Sequence, residues 1–153
     1  MVAYTFTRLA ADALPLVHEW LSRPHVTEWW PDPETQAAQI DDHVEGDDTT
    51  PYLVSLDGRP FAYLQCAQLS GDTLCLDQFI ADAALLGRGH GSGFIRQFCD
   101  EQFASPEIKS ITTDPDPANE RAIRAYEKAG FRRVGLQATP WGRILLMQRD
   151  KPS

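Results

Sequence analysis

Residues 85–94 read LLGRGHGSGF, with Gly87, Gly89, Gly91 and Gly93 spread over seven positions. The apolar stretch 74–80 before them has the residue types of a strand. The stretch after them places Phe94, Ile95, Phe98 and Cys99 at helical spacing, over a helix expected to run from about 91 to 103. Strand, glycine loop and helix in that order point to a mixed α/β fold. Glycines let the backbone approach a ligand closely, and the first N–H groups of a helix carry partial positive charge without intrahelical acceptors. The loop is therefore expected to hold an anion, most naturally a phosphate. Neither common nucleotide motif is present. A P-loop requires a lysine followed by Ser or Thr, and no lysine lies nearby. G-x-G-x-x-G fails from each start because Ser92, Phe94 and Arg96 occupy the third glycine position.

Outward from this loop, the chain reads as a series of short elements without repeats, low-complexity tracts or linkers. Residues 4–9 alternate like a strand. Asp12 is expected to cap a helix to about Ser22, with Pro15 in its first turn and Leu14, Val17 and Leu21 on one face. A loop with Trp29 and Trp30 follows. Asp32, Pro33 and Glu34 then read as cap, first position and acidic first turn of a helix ending at Gly46. Strands are expected at 52–56 and 59–69 around the turn dipeptide Asp57 and Gly58. Residues 70–72 make a turn before the strand 74–80. Past the glycine helix, 108–113 is a short strand, Asn119 caps a helix ending at Gly130, and 131–137 with 143–149 form a closing hairpin.

The 153 residues are expected to form one domain spanning 1–153, with 42% hydrophobic content and no apolar run near the roughly 20 residues of a membrane span. The N-terminal stretch lacks a secretory pattern, so a cytoplasmic location and no membrane partner are expected. Cys66, Cys75 and Cys99 form no C-x-x-C pair and are expected to be buried thiols. Charge is uneven. Residues 1–76 hold 12 acids against three arginines, a balance of −9. Residues 77–153 hold ten acids against 11 lysines and arginines, a balance of +1, and the two give the net −8. No basic face is available for nucleic acid. One half suits a cation and the other an anion, although acidic surfaces also serve solubility alone.

The segment DPDPANERAIRAYEKAGF at 114–131 adds specificity. Leu86 to Gly91 together with Asn119 to Phe131 resembles the acetyl-coenzyme A signature of the GNAT N-acetyltransferase superfamily, an R/Q-x-x-G-x-G/A loop followed by an N-x-x-A-x-x-x-Y-x-x-x-G-F helix. Within it the similarity is closer to aminoglycoside 6-prime-N-acetyltransferases, through HEWLSRPHVTEWW, TPYLVSLDGRPFAYLQ, LDQFIA and TDPDPANERAIRAYEKAGF. Leu86 departs from the pattern, which has Arg or Gln there. The resemblance implies a GNAT fold: a mixed, mostly antiparallel central sheet splayed around an acetyl-CoA site, with helices on both faces. It also implies acetyl transfer to a primary amine of a cationic small molecule.

The same resemblance implies roles for particular residues. The diphosphate of acetyl-CoA would sit on the amides of Arg88, Gly89, His90, Gly91, Ser92 and Gly93, and the pantetheine would pair along Gln78, Phe79 and Ile80. Arg88, Arg124 or Lys128 would meet the outer phosphates, each having the alternative of a solvated charge. Asn119 and Tyr126, seven residues apart, would face one cleft, and the tyrosine would protonate the departing thiolate. The alternative is a core tyrosine with a backbone partner. Asp77 interrupts an apolar stretch where an unpaired carboxylate is costly. By resemblance it contacts the amine, positioning it first and serving as base second, since an ordinary aspartate near pKa 3.9 is a poor base. Asp114 would bind an amino sugar or else act as a turn acid. One of Trp29 and Trp30 would offer a floor to a sugar ring while the other is core. Glu28, Glu45, Asp47 and Asp48 would make an acidic rim or a solvated face.

No histidine pair among His18, His25, His43 and His90 has metal-ligand spacing, so no metal is expected. No serine or cysteine has a nucleophile-elbow setting, which disfavours an acetyl-enzyme. The expected activity is direct transfer in a ternary complex, by a monomer or homodimer. The competing readings are a siderophore hydroxylysine acetyltransferase, a kind of enzyme that shares the N-x-RAI-x-x-YEKAGF segment but carries a histidine where this chain has Leu76, Asp77 and Gln78, and a binding module that keeps acetyl-CoA without turnover.

Overall fold

The computed structural model describes residues 3–153. Seven strands form one mixed sheet in the order β1-β2-β3-β4-β5-β7-β6. All the recorded strand pairings are antiparallel except β4 with β5. The chain divides into two compact units, one comprising residues up to Ala67 with Gln78–Leu86, the other Gln68–Asp77 with Gly87–Ser153.

In the first unit, β1 (Tyr4–Arg8) pairs with β2 (Thr49–Leu56), and β2 with β3 (Arg59–Gln68). Asp57 (φ 52°) and Gly58 (φ 80°) join the latter two as a two-residue hairpin with both central torsions positive, the turn whose twist matches the strands. α1 (Leu14–Leu21) turns Val17, Trp20 and Leu21 inward, and α3 (Pro33–Gly46) turns Ile40 inward. These side chains join Val26, Trp30, Tyr63 and Phe79 in one apolar cluster, each large member contributing about 1.5–3 kcal/mol by burial.

Three local expectations change here. Asp12 does not cap α1: a 3₁₀ turn, Ala11–Ala13, leads into it, and the cap position is Ala13 without a side-chain bond. Asp32 stands at the start of α3, but its backbone is left-handed (φ 59°) and its side chain makes no cap. Its carbonyl takes the Gln36 N–H instead, at 3.0 Å. The connection before Trp29 contains a short helix, α2 (Pro24–Thr27), with Pro24 in its first turn. A side-chain bond from His18 Nε2 to Asp41 Oδ1 (2.7 Å) links α1 to α3.

The second unit contains the start of β4 (Thr73–Ile80), β5 (Ser110–Thr113), β6 (Arg132–Thr139), β7 (Gly142–Asp150) and the helices α4 (His90–Phe103) and α5 (Glu120–Lys128). β5 pairs antiparallel with β7, and β7 with β6. α4 buries Phe94, Ile95, Phe98, Cys99 and Phe103. α5 buries Ile123 and Tyr126, one turn apart, and is capped as its sequence predicts: Asn119 Oδ1 accepts the Ala122 N–H (3.3 Å).

α5 ends in a Schellman turn. Phe131 N–H reaches the Tyr126 carbonyl and Gly130 N–H the Glu127 carbonyl, both at 3.0 Å, with Gly130 at φ 102°. A Cβ on Gly130 would stand 3.1 Å from Arg149 Nε and 3.2 Å from its Cδ. Arg149 is buried, donates from Nη2 to Asp100 Oδ1 (2.7 Å) and lies over the Phe103 ring, 5.3 Å from its centroid. Among the described residues no helix is long and apolar enough to cross a membrane.

Candidate active site

The glycine loop adopts the conformation its composition requires. Gly87 (φ 73°) and Gly89 (φ 83°) both lie where L side chains are strained, and a Cβ on either would meet nothing within 4 Å. Their freedom serves the path of the backbone and leaves the space beside it open. Gly89 stands at the cap position of α4, without a side-chain cap, and His90 is the first helical residue. Gly93 N–H accepts no outside role, since it donates to the Gly89 carbonyl at 3.1 Å, and the Ser92 hydroxyl donates to the same carbonyl at 3.1 Å. The amides of Gly91 and Ser92 precede that first helical bond and have no intrahelical acceptor. This is the geometry that binds an anion at a helix N-terminus. Arg88 is exposed beside it.

β4 leads into the loop. Its parallel register with β5 covers Thr73↔Ser110, Leu74↔Ile111 and Cys75↔Thr112, and β4 then continues five residues to Ile80. At the end of the paired stretch, the Thr113 hydroxyl donates to the Leu76 carbonyl at 2.9 Å. Asp77, the next residue, is half-buried. Gln78 and Ile80 are half-buried too, while the Phe79 ring is buried in the apolar cluster and is not available to a ligand. The carbonyls at the end of β4 and just past it are held by side chains: His25 Nε2 donates to Ile80 O (3.0 Å) and Arg23 Nη1 to Ala81 O (2.8 Å).

Asp114 follows β5. Desolvation by surrounding protein raises its carboxyl above the ordinary range, yet the residue keeps exposed surface. Tyr126 is 1% exposed, its ring edge-on to Phe131 with centroids 5.4 Å apart. Arg124 and Lys128 are exposed on α5, Arg124 in a 3.8 Å ion pair with Glu120. The tryptophan pair is resolved. Trp30 is the core member, edge-on to Phe79 (5.1 Å) and Tyr63 (5.9 Å), so the expectation that its face meets a substrate gives way. Trp29 is half-buried and keeps surface. Asp47 serves the turn after α3, accepting from Thr49 N–H (2.9 Å) and pairing with His43 (2.8 Å), contacts that lower its carboxyl below the ordinary value. Glu28, Glu45 and Asp48 are exposed.

Asp77, the loop from Arg88 to Gly93, Asp114, Asn119, Arg124, Tyr126 and Lys128 belong to the second unit; Trp29, Trp30, Gln78, Phe79 and Ile80 belong to the first. Sequence reasoning missed Thr113, Arg23 and His25, which act through bonds to carbonyls 37 to 58 residues away. It also expected three buried thiols, whereas Cys99 is buried and Cys66 and Cys75 are half-buried. Burial pushes the Cys66 thiol up to about 12, which removes it as a nucleophile at neutral pH.

The pattern of a known family, described as an acetyltransferase (GNAT) domain, matches residues 9–138. The chain belongs to the GNAT acetyltransferase family. This acetyltransferase is 37% identical over 166 aligned residues to aminoglycoside N(6')-acetyltransferase type 1 of Klebsiella pneumoniae, covering 96% of this chain and 83% of that one. It is 29% identical to a lysine N-acyltransferase of Mycolicibacterium paratuberculosis, over 90% of this chain and 69% of the other. The solved aminoglycoside acetyltransferase AAC(6')-Ib, in complex with coenzyme A and kanamycin, superposes with a TM-score of 0.87 at 34% identity, over 97% of this chain and 95% of that one. The seven-stranded, mostly antiparallel sheet with its helices is thus the GNAT fold.

Proposed function

We propose that this GNAT enzyme transfers the acetyl group of acetyl-coenzyme A to the 6-prime amine of aminoglycosides. The observation that carries the reading is the likeness, over 97% of the chain, to an enzyme solved with coenzyme A and kanamycin. The local geometry supports it. Open amides at the start of α4 suit the diphosphate, and the stretch of β4 beyond Cys75 suits the pantetheine as an added strand. The −9 balance of residues 1–76 suits a polycationic acceptor. An enzyme that consumes acetyl-coenzyme A also fits a cytoplasmic location.

Acetyl-coenzyme A is a substrate here, used up in each turnover. The amine nitrogen bonds to the thioester carbonyl carbon and the carbon–sulfur bond breaks. The proton of the amine leaves through Asp77 or a water, and the Tyr126 hydroxyl protonates the departing sulfur, then regains a proton from water. A thiolate of ordinary pKa near 8.5 can leave unaided, and a positioned donor speeds its departure at neutral pH, general acid help contributing about 100-fold. Asp77 and Asp114 hold the ammonium-bearing sugar, with Trp29 as an apolar surface. A carboxylate that binds an ammonium also stabilises its charged form, so positioning is the first role of Asp77.

Calorimetric titration with kanamycin-type and unrelated amines, with thiol release measured in parallel, tests the reading. Selective binding and turnover of the kanamycin type is expected. Equal response to all amines would remove the aminoglycoside assignment, and binding of coenzyme A without thiol release would leave a binding module.

A further inference from the structure

The segment of β4 that would pair with the coenzyme ends under two side-chain donors, Arg23 just before α2 and His25 within it. Arg23 is fixed first: its Nε and Nη2 donate to the two Glu19 carboxylate oxygens, both at 2.8 Å, which leaves Nη1 aimed at Ala81 O. Two residues later, past Pro24, His25 donates from Nε2 to Ile80 O. Ile80 O and Ala81 O belong to the peptide groups whose N–H groups, on Ala81 and Asp82, both reach the Phe61 carbonyl (2.8 and 3.4 Å), so both carbonyls point away from Phe61 on β3.

We infer that His25 is a positioning residue of the coenzyme site: its Nε2–H holds Ile80 O and thereby sets the orientation of the β4 edge along which the pantetheine pairs. This rests on the proposed pairing of the coenzyme with Gln78 and Ile80. Arg23 and His25 thus hold two successive carbonyls from the side away from Phe61, just before the chain turns at Asp82 into the glycine loop. A strand edge free to twist would present its amides in many orientations, and a ligand would have to select one of them at a cost in affinity. The bond also fixes the histidine, since a carbonyl partner requires the proton on Nε2.

Three variants test this, each checked for folding by circular dichroism. His25→Ala removes the donor, His25→Asn stops short of the carbonyl, and His25→Gln places an amide nitrogen at about the reach of Nε2. The expected result is a Kd for coenzyme A raised about 5- to 10-fold in His25→Ala and His25→Asn, and within about twofold of the parent in His25→Gln. The KM for the amine should be unchanged in all three. If His25→Ala does not fold, the Asn and Gln pair carries the same comparison. An unchanged Kd in the Ala and Asn variants, or an equal loss in all three, overturns the inference. Amide resonances of Gln78 and Ile80 in the unaltered enzyme test the pairing itself. If they do not move when coenzyme A is added, the coenzyme reading fails; if they move while the variants bind normally, only the role of His25 fails.

Discussion

Gly89 and Gly58 form a matched pair that separates backbone strain from ligand binding. Their φ values are +83° and +80°, and a Cβ on either meets nothing within 4 Å. Alanine at each should therefore cost the same: about 1–2 kcal/mol for the left-handed conformation, offset by about 0.4–1 kcal/mol from a less flexible unfolded chain. A net loss of about 1 kcal/mol lowers the Tm of a chain of this size by about 2–4 °C. Function should divide the two. A methyl on Gly58 stands at the tip of a hairpin, whereas one on Gly89 stands in the space the diphosphate needs. Loss of one charge-assisted amide contact, about 1.5–3 kcal/mol, raises the Kd for coenzyme A about 10- to 150-fold in Gly89→Ala alone. Differential scanning calorimetry gives the first quantity and titration calorimetry with coenzyme A the second. Equal Tm losses with equal, near-parent affinities would refute the assignment of the diphosphate to this turn.

Tyr126→Phe should lower kcat about 100-fold while the Kd for coenzyme A stays unchanged, as pre-steady-state thiol release and calorimetry would record. Asp114→Asn should raise the KM for the amine and also raise the Tm at pH 7. The folded-state pKa of Asp114 is raised, so its ionisation opposes folding above that pKa, and the gain should vanish below its ordinary value of 3.8, where both states are protonated. A thermal melt series from pH 3 to 7 checks the sign. Gly130→Ala should cost about 2–4 kcal/mol, since φ of +102° is strained for alanine and the new Cβ meets Arg149, whose guanidinium is fixed by Asp100 and Phe103. Urea unfolding of that variant beside Gly71→Ala, where a Cβ meets nothing within 4 Å, measures it.

The elements that were legible in the sequence are those specified within a few residues. Asn119 and Gly130 bracket α5 because a cap acts over three positions and a positive φ is needed at one. Asp57 and Gly58 give a hairpin for the same reason. The failures were also local in scope but had near-equal alternatives. Asp12 and Asp32 both resemble caps, yet a 3₁₀ turn occupies the first position and a left-handed backbone the second, so neither side chain reaches a helical N–H.

What the sequence determined by itself is the order of the strands and of the longer helices, the glycine turn before α4 and the spacing of Asn119 and Tyr126, because torsional preference and capping operate between near neighbours. The tertiary structure decided which tryptophan enters the core, that Asp114 is desolvated, where the β4 ladder to β5 ends, and that His25 holds a carbonyl 55 residues away. Those depend on atoms that only folding brings together: desolvation and hydrogen-bond partners are set by distance in space, and no local pattern encodes them.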